Sequence, residues 1–373
     1  MSITEKNNSQ KPTLLVMAGG TGGHIFPGLA VADELKSLGW NIHWLGTAEK
    51  MEANIVPAYG YDISFINISG MRNKGIISLL SMPVKLLQSV FQARKVIKKL
   101  SPDVVLGMGG YASAPGGVAA WFSNKPLIIH EQNAAAGLSN RLLAKIANTV
   151  CCAFPDTFAN SQKVKVVGNP LRASIAKQPG LVEQQMKTAK WDKKILVVGG
   201  SLGAQVLNEV IPTCFNRLVK TDDNFSIWHQ TGADKHVKVL AAYAAEDIES
   251  EKVKVTEFIK DMAKAYQWAD IVICRAGALT VSELAVAGKP AIFVPLPHAV
   301  DDHQTKNALY LVDRGAAMLL PQSNLTPDNA IALICDLFSE RQTLEKMARA
   351  AKNAANNDAS KQVAQFCQQL LKS

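Results

Sequence analysis

This sequence lacks long hydrophobic runs and paired cysteines. No apolar run approaches the roughly 20 residues that a membrane-spanning helix needs. The opening MSITEKNNSQKP is polar and has no apolar core, which argues against a secretory signal. The six cysteines form no C-x-x-C pair and have no zinc-ligand spacing, so we expect mostly buried free thiols, IALIC included. These absences predict a soluble or peripheral protein of the reducing cytoplasm.

Three familiar signatures of phosphate or metal binding are also missing. The dinucleotide fingerprint fails at the first glycine turn because Ile25 stands where the third glycine belongs. A match to its G-x-G-x-x-A variant at Gly107–Ala112 is isolated and lies outside the first βα unit. No Gly-Lys-Ser/Thr follows any glycine turn, and no Asp-x-Asp triplet occurs. An NAD dehydrogenase, a P-loop enzyme and an Asp-x-Asp metal site are therefore disfavoured.

Composition and charge indicate a globular chain with one unusual segment. The 373 residues are 48% hydrophobic and 19% charged, a length that suits two cores better than one. The formal net charge is +9. Between Arg72 and Leu100 the sequence has seven basic residues and no acidic one. Such a local basic block indicates that this part of the chain binds an anionic surface.

The chain reads as an internal duplication. TLLVMA is followed by GGTGGH and a helical stretch from Pro27, whose proline suits a first helical turn. KILVV is followed by GGSLGA and a helical stretch from Gln205. A second pattern occurs twice, from Pro102 and again from Ala269. It consists of Asp, a buried strand, a glycine turn, a small-residue helix, Lys-Pro and a second strand. Continuous apolar strands alternating with helices predict two doubly wound α/β domains with parallel sheets.

The domain boundary is predicted from where this pattern restarts. We expect residues 1–170 to form the first domain and residues 171–356 the second, with the change near GNPLR. Lys177–Asp192 reads as a linker or irregular opening. A last helix, roughly residues 357–373, is expected to pack back on the first domain. Each strand–glycine turn–helix unit is an anion site, because turn amides and the helix N-terminus favour phosphate. Two such domains predict an active-site cleft between them.

Six motifs carry a resemblance to a known family. They are GGTGGH (19–24), GMGGY (107–111), HEQN (130–133), GNPLR (168–172), GGSLGAQ (199–205) and RAGALTVSEL (275–284). In order and spacing the chain resembles the MurG family of UDP-GlcNAc transferases, from about Thr13 to about Pro321. The resemblance implies the two-domain GT-B fold. It also implies transfer of GlcNAc to undecaprenyl-pyrophosphoryl-MurNAc-pentapeptide (lipid I), giving lipid II for peptidoglycan synthesis and thus cell shape and division.

The resemblance also implies a set of UDP-GlcNAc contacts. These are Thr21, Gly22, Gly23, Asn133, Arg172, Ser201, Ile259, Ala278, Leu279, Thr280, Val281, Ser282, Glu283 and Gln304. The first loop, Arg172 and Ser201 are expected at the diphosphate, and Asn133 and Gln304 at the sugar. Ile259 is expected to receive the uracil through its backbone, above a floor formed by residues 278–283.

Two of these residues have plainer interpretations. Glu283 can accept both ribose hydroxyls, but an acid in the first turn also suits a helix N-terminus. Arg172 offers a planar charged fork for phosphate, but it can equally form a surface ion pair. Family members vary just before Gln304, which here follows Asp301, Asp302 and His303.

His24 is the leading candidate for the general base, and Glu131 is the second. Imidazole has an ordinary pKa suited to proton transfer near neutral pH, although His24 could instead cap its helix or orient the donor. No paired carboxylates suggest a covalent intermediate, so we expect a single inverting displacement. Helix dipoles, turn amides and Arg172 can stabilise the leaving diphosphate, so no cofactor and no strictly required metal are expected.

The basic block is expected to face a membrane. From Gly75 to Lys99 apolar residues recur at helical spacing beside several lysines, with Trp121 and Phe122 as further candidates for the same face. Such a stretch can bind an anionic leaflet, although an ordinary core-facing helix with a solvated basic side fits the same pattern. A lipid-linked acceptor favours peripheral attachment at the cytoplasmic face of the inner membrane, where other cell-wall enzymes are conceivable partners.

Several other functions stay open at this point. A related GT-B enzyme could glycosylate diacylglycerol, and a nucleotide-sugar epimerase or a non-catalytic UDP-sugar sensor could share the fold. Nucleic acid is not expected as a partner, because the basic block has little aromatic interleaving.

Overall fold

The computed structural model describes residues 11–68, 82–172, 175, 192–200, 202–245, 250–297 and 299–372. The chain separates into two units. The first contains the described residues up to Gln132, Ala136–Pro170 and the C-terminal segment from Asp358. The second contains Asn133–Ala135 and Leu171–Asn357. Apart from Asp192, the predicted linker lies outside the described residues.

The first unit is built on a parallel sheet with the strand order β3-β2-β1-β4-β5-β6-β7. Its strands are β1 (Thr13–Met17), β2 (Asn41–Gly46), β3 (Asp62–Phe65), β4 (Val104–Gly107), β5 (Leu127–Glu131), β6 (Thr149–Cys152) and β7 (Val164–Val166). The helices along this part of the chain are α1 (Gly22–Ser37), α2 (Glu52–Ala58), α3 (Met82–Leu100), α4 (Ser113–Phe122) and α5 (Leu138–Leu143). Buried strands β1, β4 and β5 carry apolar residues on both faces, as parallel sheets covered by helices require.

The second unit repeats this plan with the strand order β10-β9-β8-β11-β12-β13. Its strands are β8 (Lys193–Val198), β9 (Phe225–Gln230), β10 (Val253–Thr256), β11 (Ile271–Cys274), β12 (Ala291–Phe293) and β13 (Ala317–Leu319). Its α-helices are α6 (Gln205–Thr221), α7 (His236–Ala244), α8 (Met262–Trp268), α9 (Ala278–Ala287), α10 (His303–Val312), α11 (Pro327–Ser339) and α12 (Arg341–Ala354). The predicted fold class, two doubly wound α/β domains, is confirmed.

The repeated aspartates have the same structural task in both units. Asp103 precedes β4, and its Oδ2 accepts the N–H of Thr13 at the start of β1 at 2.7 Å. Asp270 precedes β11, and its Oδ2 accepts the N–H of Lys194 in β8 at 2.8 Å. Each aspartate therefore fastens the two central strands together. In each sheet the strand order reverses between these strands, which is where ligands bind in open α/β folds.

The last helix, α13 (Ala359–Lys372), belongs to the first unit. It packs on α1. Val363, Ala364 and Cys367 are almost fully buried and join the apolar cluster beneath α1, which includes Leu14 and Val16 of β1. The chain therefore returns to its first unit after the second is complete.

Two local predictions were wrong. Helix α1 begins at Gly22, so Pro27 lies inside it and not in its first turn. Thr21 takes an extended conformation at the N-cap, and the N–H groups of His24 and Ile25 already bond to its carbonyl. Cys335 is exposed, whereas the other five cysteines are buried as expected. It lies beside the buried Ile334 but points off the apolar face of α11.

Candidate active site

His24 lies in the first turn of α1, directly after the first glycine loop. Its Nδ1 is 3.2 Å from the carbonyl oxygen of Gly19 and 3.3 Å from Oγ1 of Thr21. A carbonyl oxygen only accepts, so we assign the imidazole proton to Nδ1. This tautomer leaves the lone pair on Nε2, which makes no hydrogen bond within the described part of the chain. The loop therefore prepares one ring nitrogen to receive a proton.

The surroundings of His24 keep the ring neutral at neutral pH. Burial lowers the pKa of His24 below its ordinary value, although the charges of Glu131 and Glu52 and the hydrogen bond to Gly19 raise it in part. The ring lies against the second glycine turn, since a Cβ built on Gly109 would come within 2.8 Å of its Cδ2. The first and second glycine turns thus meet at this imidazole.

Glu131, the second candidate base, forms hydrogen bonds to residues of the loop and helix that follow it. The side chain is 4% exposed. Its Oε2 accepts the N–H of Gly137 at 3.1 Å and Nδ2 of Asn140 at 2.9 Å. The neighbouring His130 is fully buried, bonds the carbonyl of Gly168 at 2.9 Å and has a pKa that burial lowers to about 4. The HEQ part of the motif therefore ties β5 to the chain around Gly168.

The second unit contains a cleft of about 700 Å³ at the place where the strand order of its sheet reverses, between β8 and β11. Its walls are the glycine turn after β8, the start of α6, the start of α9 and the loops after β11 and β12. The lining residues are Val198, Gly199, Gly200, Leu202, Gly203, Ala204, Gln205, Val206, Glu209, Arg275, Gly277, Thr280, Leu296, Gln304 and Gln322. Of the predicted donor contacts, Thr280 and Gln304 line this cleft, while Ser201 lies outside the described residues.

Gln304 and the start of α9 present polar groups to the cleft. Oε1 of Gln304 accepts the N–H of Leu296 at 2.9 Å, while its Nε2 has no partner within the described residues. Helix α9 begins after Gly277, and the N–H groups of its first turn lack helical partners. Such a helix start favours an anion. Thr280, in this turn, reaches the cleft itself.

Arg275 is a cleft residue that the sequence did not single out. Its Nη1 donates to the carbonyls of Val294 and Pro295, both at 3.0 Å, and its Nη2 donates to Oε1 of Gln322 at 2.7 Å. Burial lowers the pKa of Arg275, but a guanidinium keeps its charge in proteins. A fixed positive charge therefore lies at the cleft. Its position after β11, beside a glycine turn, was the available indication.

Glu283 lies in the second turn of α9, so its alternative interpretation as a first-turn acid was wrong, and its side chain is paired. Its Oε2 accepts the hydroxyl of Tyr266 at 2.9 Å, and its Oε1 is 3.8 Å from Nη2 of Arg172. Burial raises the pKa of Glu283, while Arg172 and the Tyr266 hydrogen bond lower it. The structure thus brings Arg172 and Glu283 together, and neither lines the cleft described above.

Two further predicted residues are placed by their backbone surroundings. Ile259 is 5% exposed, and neither its N–H nor its C=O has a hydrogen-bond partner among the residues that the structure describes. Asn133 lies in the short segment assigned to the second unit. Its Oδ1 accepts from Nδ2 of the buried Asn307 at 3.3 Å, and Asn307 also bonds the N–H of Ala134 and the carbonyl of Ala276.

The remaining predicted residues also have definite positions. Thr21 is exposed, and Gly22 and Gly23 are half-buried at the start of α1. Ala278 and Val281 are buried in α9, whereas Leu279 and Ser282 are half-buried. Only part of the side chains predicted to form a floor under the nucleotide are therefore accessible.

Comparison with known proteins defines the class and then the family. Residues 14–152 match the glycosyltransferase family 28 N-terminal domain, and residues 194–363 match the corresponding C-terminal domain. With two parallel sheets and a cleft at a glycine turn, these matches define a GT-B-type glycosyltransferase. The crystal structure of Acinetobacter baumannii MurG is similar at a TM-score of 0.83 and 41% identity, covering 96% of this chain and 99% of that one. The chain belongs to the MurG family within glycosyltransferase family 28.

Two relatives match over nearly their full length. The protein of Colwellia psychrerythraea is 66% identical over 364 residues, covering 98% of this chain and 94% of the relative. The protein of Aeromonas hydrophila is 56% identical over 358 residues, covering 96% and 97%. Both are named UDP-N-acetylglucosamine–N-acetylmuramyl-(pentapeptide) pyrophosphoryl-undecaprenol N-acetylglucosamine transferase.

Proposed function

We propose that this enzyme transfers GlcNAc from UDP-GlcNAc to the MurNAc 4-hydroxyl of lipid I, giving lipid II. The observation that carries the proposal is the 66% identity, over 98% of the chain, to a relative named for this reaction. The polar cleft at the glycine turn after β8 and the imidazole beside the glycine loop after β1 supply the chemistry that such a transfer needs. The reaction belongs to peptidoglycan synthesis.

The donor is proposed to bind through the residues that the family resemblance implies. They are Thr21, Gly22, Gly23, Asn133, Arg172, Ser201, Ile259, Ala278–Glu283 and Gln304. The free Nε2 of Gln304 supports a contact to a sugar hydroxyl, and the unpaired backbone groups of Ile259 support a contact to uracil. Arg275 is added here as a charge that stabilises the diphosphate, because its guanidinium is fixed at the cleft.

His24 is proposed as the general base of a single displacement. The MurNAc 4-hydroxyl oxygen forms a bond to C1 of GlcNAc while the bond from C1 to the diphosphate oxygen breaks. The hydroxyl proton passes to Nε2 of His24, and UDP leaves with the bonding electron pair. One displacement inverts the anomeric centre, so an α-linked donor gives a β-linked product. The Nδ1–H tautomer and the lowered pKa of His24 support this role over that of Glu131.

The leaving diphosphate is proposed to need no metal ion strictly. The start of α9 and the charge of Arg275 are oriented groups that can stabilise developing negative charge. Arg172 is a further source once a ligand competes for it with Glu283.

We also propose peripheral attachment to the anionic cytoplasmic leaflet through α3 and α4, which pack together. Apolar side chains that are about half or more exposed support this: Val84, Leu87 and Phe91 of α3, and Trp121 and Phe122 of α4. Lys85, Lys95, Lys98 and Lys99 are exposed on the same α3 helix. Residues 75–81, the first part of the predicted membrane segment Gly75–Lys99, lie outside the described residues. No helix that the structure describes is long and apolar enough to cross a bilayer.

The proposed function is tested by following labelled UDP-GlcNAc with each of two acceptors and without any acceptor. Label should move to a lipid I analogue and stay with the donor when diacylglycerol or no acceptor is offered. Transfer to diacylglycerol instead would identify a different glycosyltransferase. Conversion of UDP-GlcNAc to an epimer without any acceptor, or tight binding with no turnover, would also contradict the proposal.

A further inference from the structure

The two glycine turns that follow β1 and β8 are held by the same kind of hydrogen bond. The N–H of Gly20 donates to Oε2 of Glu52 at 2.9 Å. The N–H of Gly200 donates to Oε1 of Gln230 at 3.0 Å. Both glycines are the second of their turn and have left-handed φ angles, 88° and 82°, which favour glycine. Each turn thus presents its backbone to one buried side chain.

Both side chains come from the part of the fold next to the glycine-turn strand, although not from the same position. Gln230 is the last residue of β9, the strand that pairs with β8. Glu52 begins α2, directly after β2, the strand that pairs with β1. Glu52 is 1% exposed and Gln230 is 3% exposed. Each glycine turn is therefore supported from the neighbouring strand or the chain that follows it, by a carboxylate in the first unit and by an amide in the second.

Glu52 makes contacts that fix the first loop closely. Its Oε1 accepts the N–H of Thr47 at 3.0 Å and the hydroxyl of Thr47 at 2.7 Å. A Cβ built on Gly19 would come within 2.3 Å of the same oxygen, so the carboxylate lies directly against the loop. The carbonyl of Gly19 in turn holds Nδ1 of His24. Glu52 is thus linked to His24, the candidate base, through Gly19.

Gln230 makes contacts that fix the second turn on both sides. Besides accepting from Gly200, it donates from Nε2 to the carbonyl of Gly200 at 3.0 Å and to the carbonyl of Glu257 at 2.7 Å. Glu257 lies two residues before Ile259, the predicted uracil contact. The amide therefore links the turn at the cleft to the segment expected to bind the base of the nucleotide.

We propose that Glu52 and Gln230 are paired positioning residues, each setting the glycine turn of its own unit for one half of the reaction. This rests on the proposed function. The charge difference follows the chemistry of each half. A carboxylate beneath the first loop suits an imidazole that gains positive charge when it takes the proton. A neutral amide beneath the second turn avoids repelling an anionic diphosphate.

Glu52→Gln tests the first residue. An amide has one oxygen, and the orientation that keeps both Thr47 bonds turns its nitrogen toward the N–H of Gly20. Turnover with a lipid I analogue should fall about 10- to 100-fold, as removal of an aligned buried hydrogen bond would predict. The Kd for UDP by calorimetry should rise by no more than about threefold with full stoichiometry, because the first loop supplies only a few of the proposed UDP contacts and the second unit is unchanged.

Thr47→Val is the matched control, because it removes a buried donor to the same carboxylate without touching Gly20. It should lower the thermal midpoint by a few degrees, similarly to Glu52→Gln, and leave turnover within about threefold. Equal losses of turnover in the two variants would overturn the positioning role of Glu52. Hydrogen exchange of the peptide spanning residues 18–25 should accelerate in Glu52→Gln only, a readout that is independent of the reaction.

Gln230→Met tests the second residue, because it keeps the length and removes the three hydrogen bonds without adding charge. The Kd for UDP should rise about tenfold or more, and Gln230→Glu, which adds a charge, should weaken binding further. A Gln230→Met protein that binds UDP as the unaltered chain does would overturn this half. Because UDP binding and hydrogen exchange need no acceptor, failure of lipid I transfer in the unaltered chain would refute the proposed function alone.

Discussion

At the scale of single residues, the candidate base is defined by what its two ring nitrogens contact. Gly19 fixes the proton on Nδ1 of His24, and burial lowers the pKa of the ring. Glu131 is buried, and Oε2 of its carboxylate already accepts hydrogen bonds from Gly137 and Asn140. His24 instead has a ring nitrogen without a hydrogen-bond partner among the described residues, which favours it over Glu131 as the base.

Replacing His24 by alanine should lower kcat by about 10²- to 10⁴-fold, the range typical of a general base. In the unaltered enzyme kcat/KM should fall as pH drops through an apparent pKa below 6.5, because only the neutral imidazole accepts the proton. Steady-state rates with a lipid I analogue between pH 4.5 and 8 measure both effects.

His43 is the matched control for this prediction. It is another histidine of the first unit whose pKa burial lowers, and it bonds Oγ of Ser64 at 2.8 Å. His43→Gln should keep both the rate and the fall of kcat/KM at acid pH. Near-normal turnover in His24→Ala, or loss of this fall of kcat/KM in His43→Gln, would rule His24 out as the base.

Glu283 should matter for donor affinity and not for proton transfer. Glu283→Gln removes a charged acceptor, which predicts a Kd for UDP about 10- to 100-fold higher. Tyr266→Phe removes one hydrogen bond to that carboxylate and should have a smaller effect of about 3- to 10-fold. Arg217→Ala, which breaks an exposed ion pair with Asp328, serves as the control and should leave Kd unchanged. Unaltered UDP affinity in Glu283→Gln would contradict its role in donor binding.

At the scale of elements, helix α3 has apolar residues both in the protein core and at exposed positions. Ala93 and Ile97 are buried in the core of the first unit, while Leu87 and Phe91 are more than half exposed. The sequence left open whether the apolar face of this helix points inward or outward. The structure assigns part of the apolar periodicity to each side, which a single helical repeat could not distinguish.

Phe91→Ser should therefore weaken binding to vesicles that contain anionic lipid. Losing an aromatic side chain from the interface predicts a partition coefficient about tenfold lower. Val237→Ser, at an exposed apolar position on α7 of the second unit, is the control and should bind as the unaltered chain does. Flotation assays at low and high salt measure this. Binding that ignores Phe91, salt and anionic lipid would contradict the membrane proposal.

Helix α13 should be part of the stability of the first unit. Val363 is fully buried against the cluster under α1, so Val363→Ala should lower the free energy of unfolding by about 2 kcal/mol. Gln365→Ala, on the exposed side of the same helix, should change it by less than about 0.5 kcal/mol. Urea unfolding followed by fluorescence compares the two. Equal effects would mean that α13 contributes little packing.

At the scale of the whole molecule, the sequence predicted the architecture well because parallel strands leave a strong pattern. Both halves show short apolar runs that end in glycine turns, and the repeated Asp103 and Asp270 hold equivalent strands. The contacts of Glu52, Gln230 and Asn307 could not be predicted in this way. Apart from Thr47, which is five residues from Glu52, their partners lie 27 or more residues away in the chain, so no local spacing connects them.

The same limit applies to parts of the candidate site. Arg275 was visible within a family motif, but its role depends on carbonyls of the next strand and on Gln322. The pairing of Arg172 with Glu283 joins residues 111 positions apart (283 − 172), which neither local spacing nor charge pattern predicts. Sequence reasoning therefore located the elements of the site, whereas the contacts among their side chains required the fold.

The central claim is a metal-independent, inverting transfer of GlcNAc to a lipid-linked acceptor. The most direct measurement is the structure of the product formed from UDP-GlcNAc and a lipid I analogue in the presence of EDTA, by NMR and mass spectrometry. The account predicts a β-linked GlcNAc on the MurNAc 4-hydroxyl, formed at an undiminished rate. An α-linked product, free or epimerised sugar, or complete loss of activity that one divalent metal restores would contradict it.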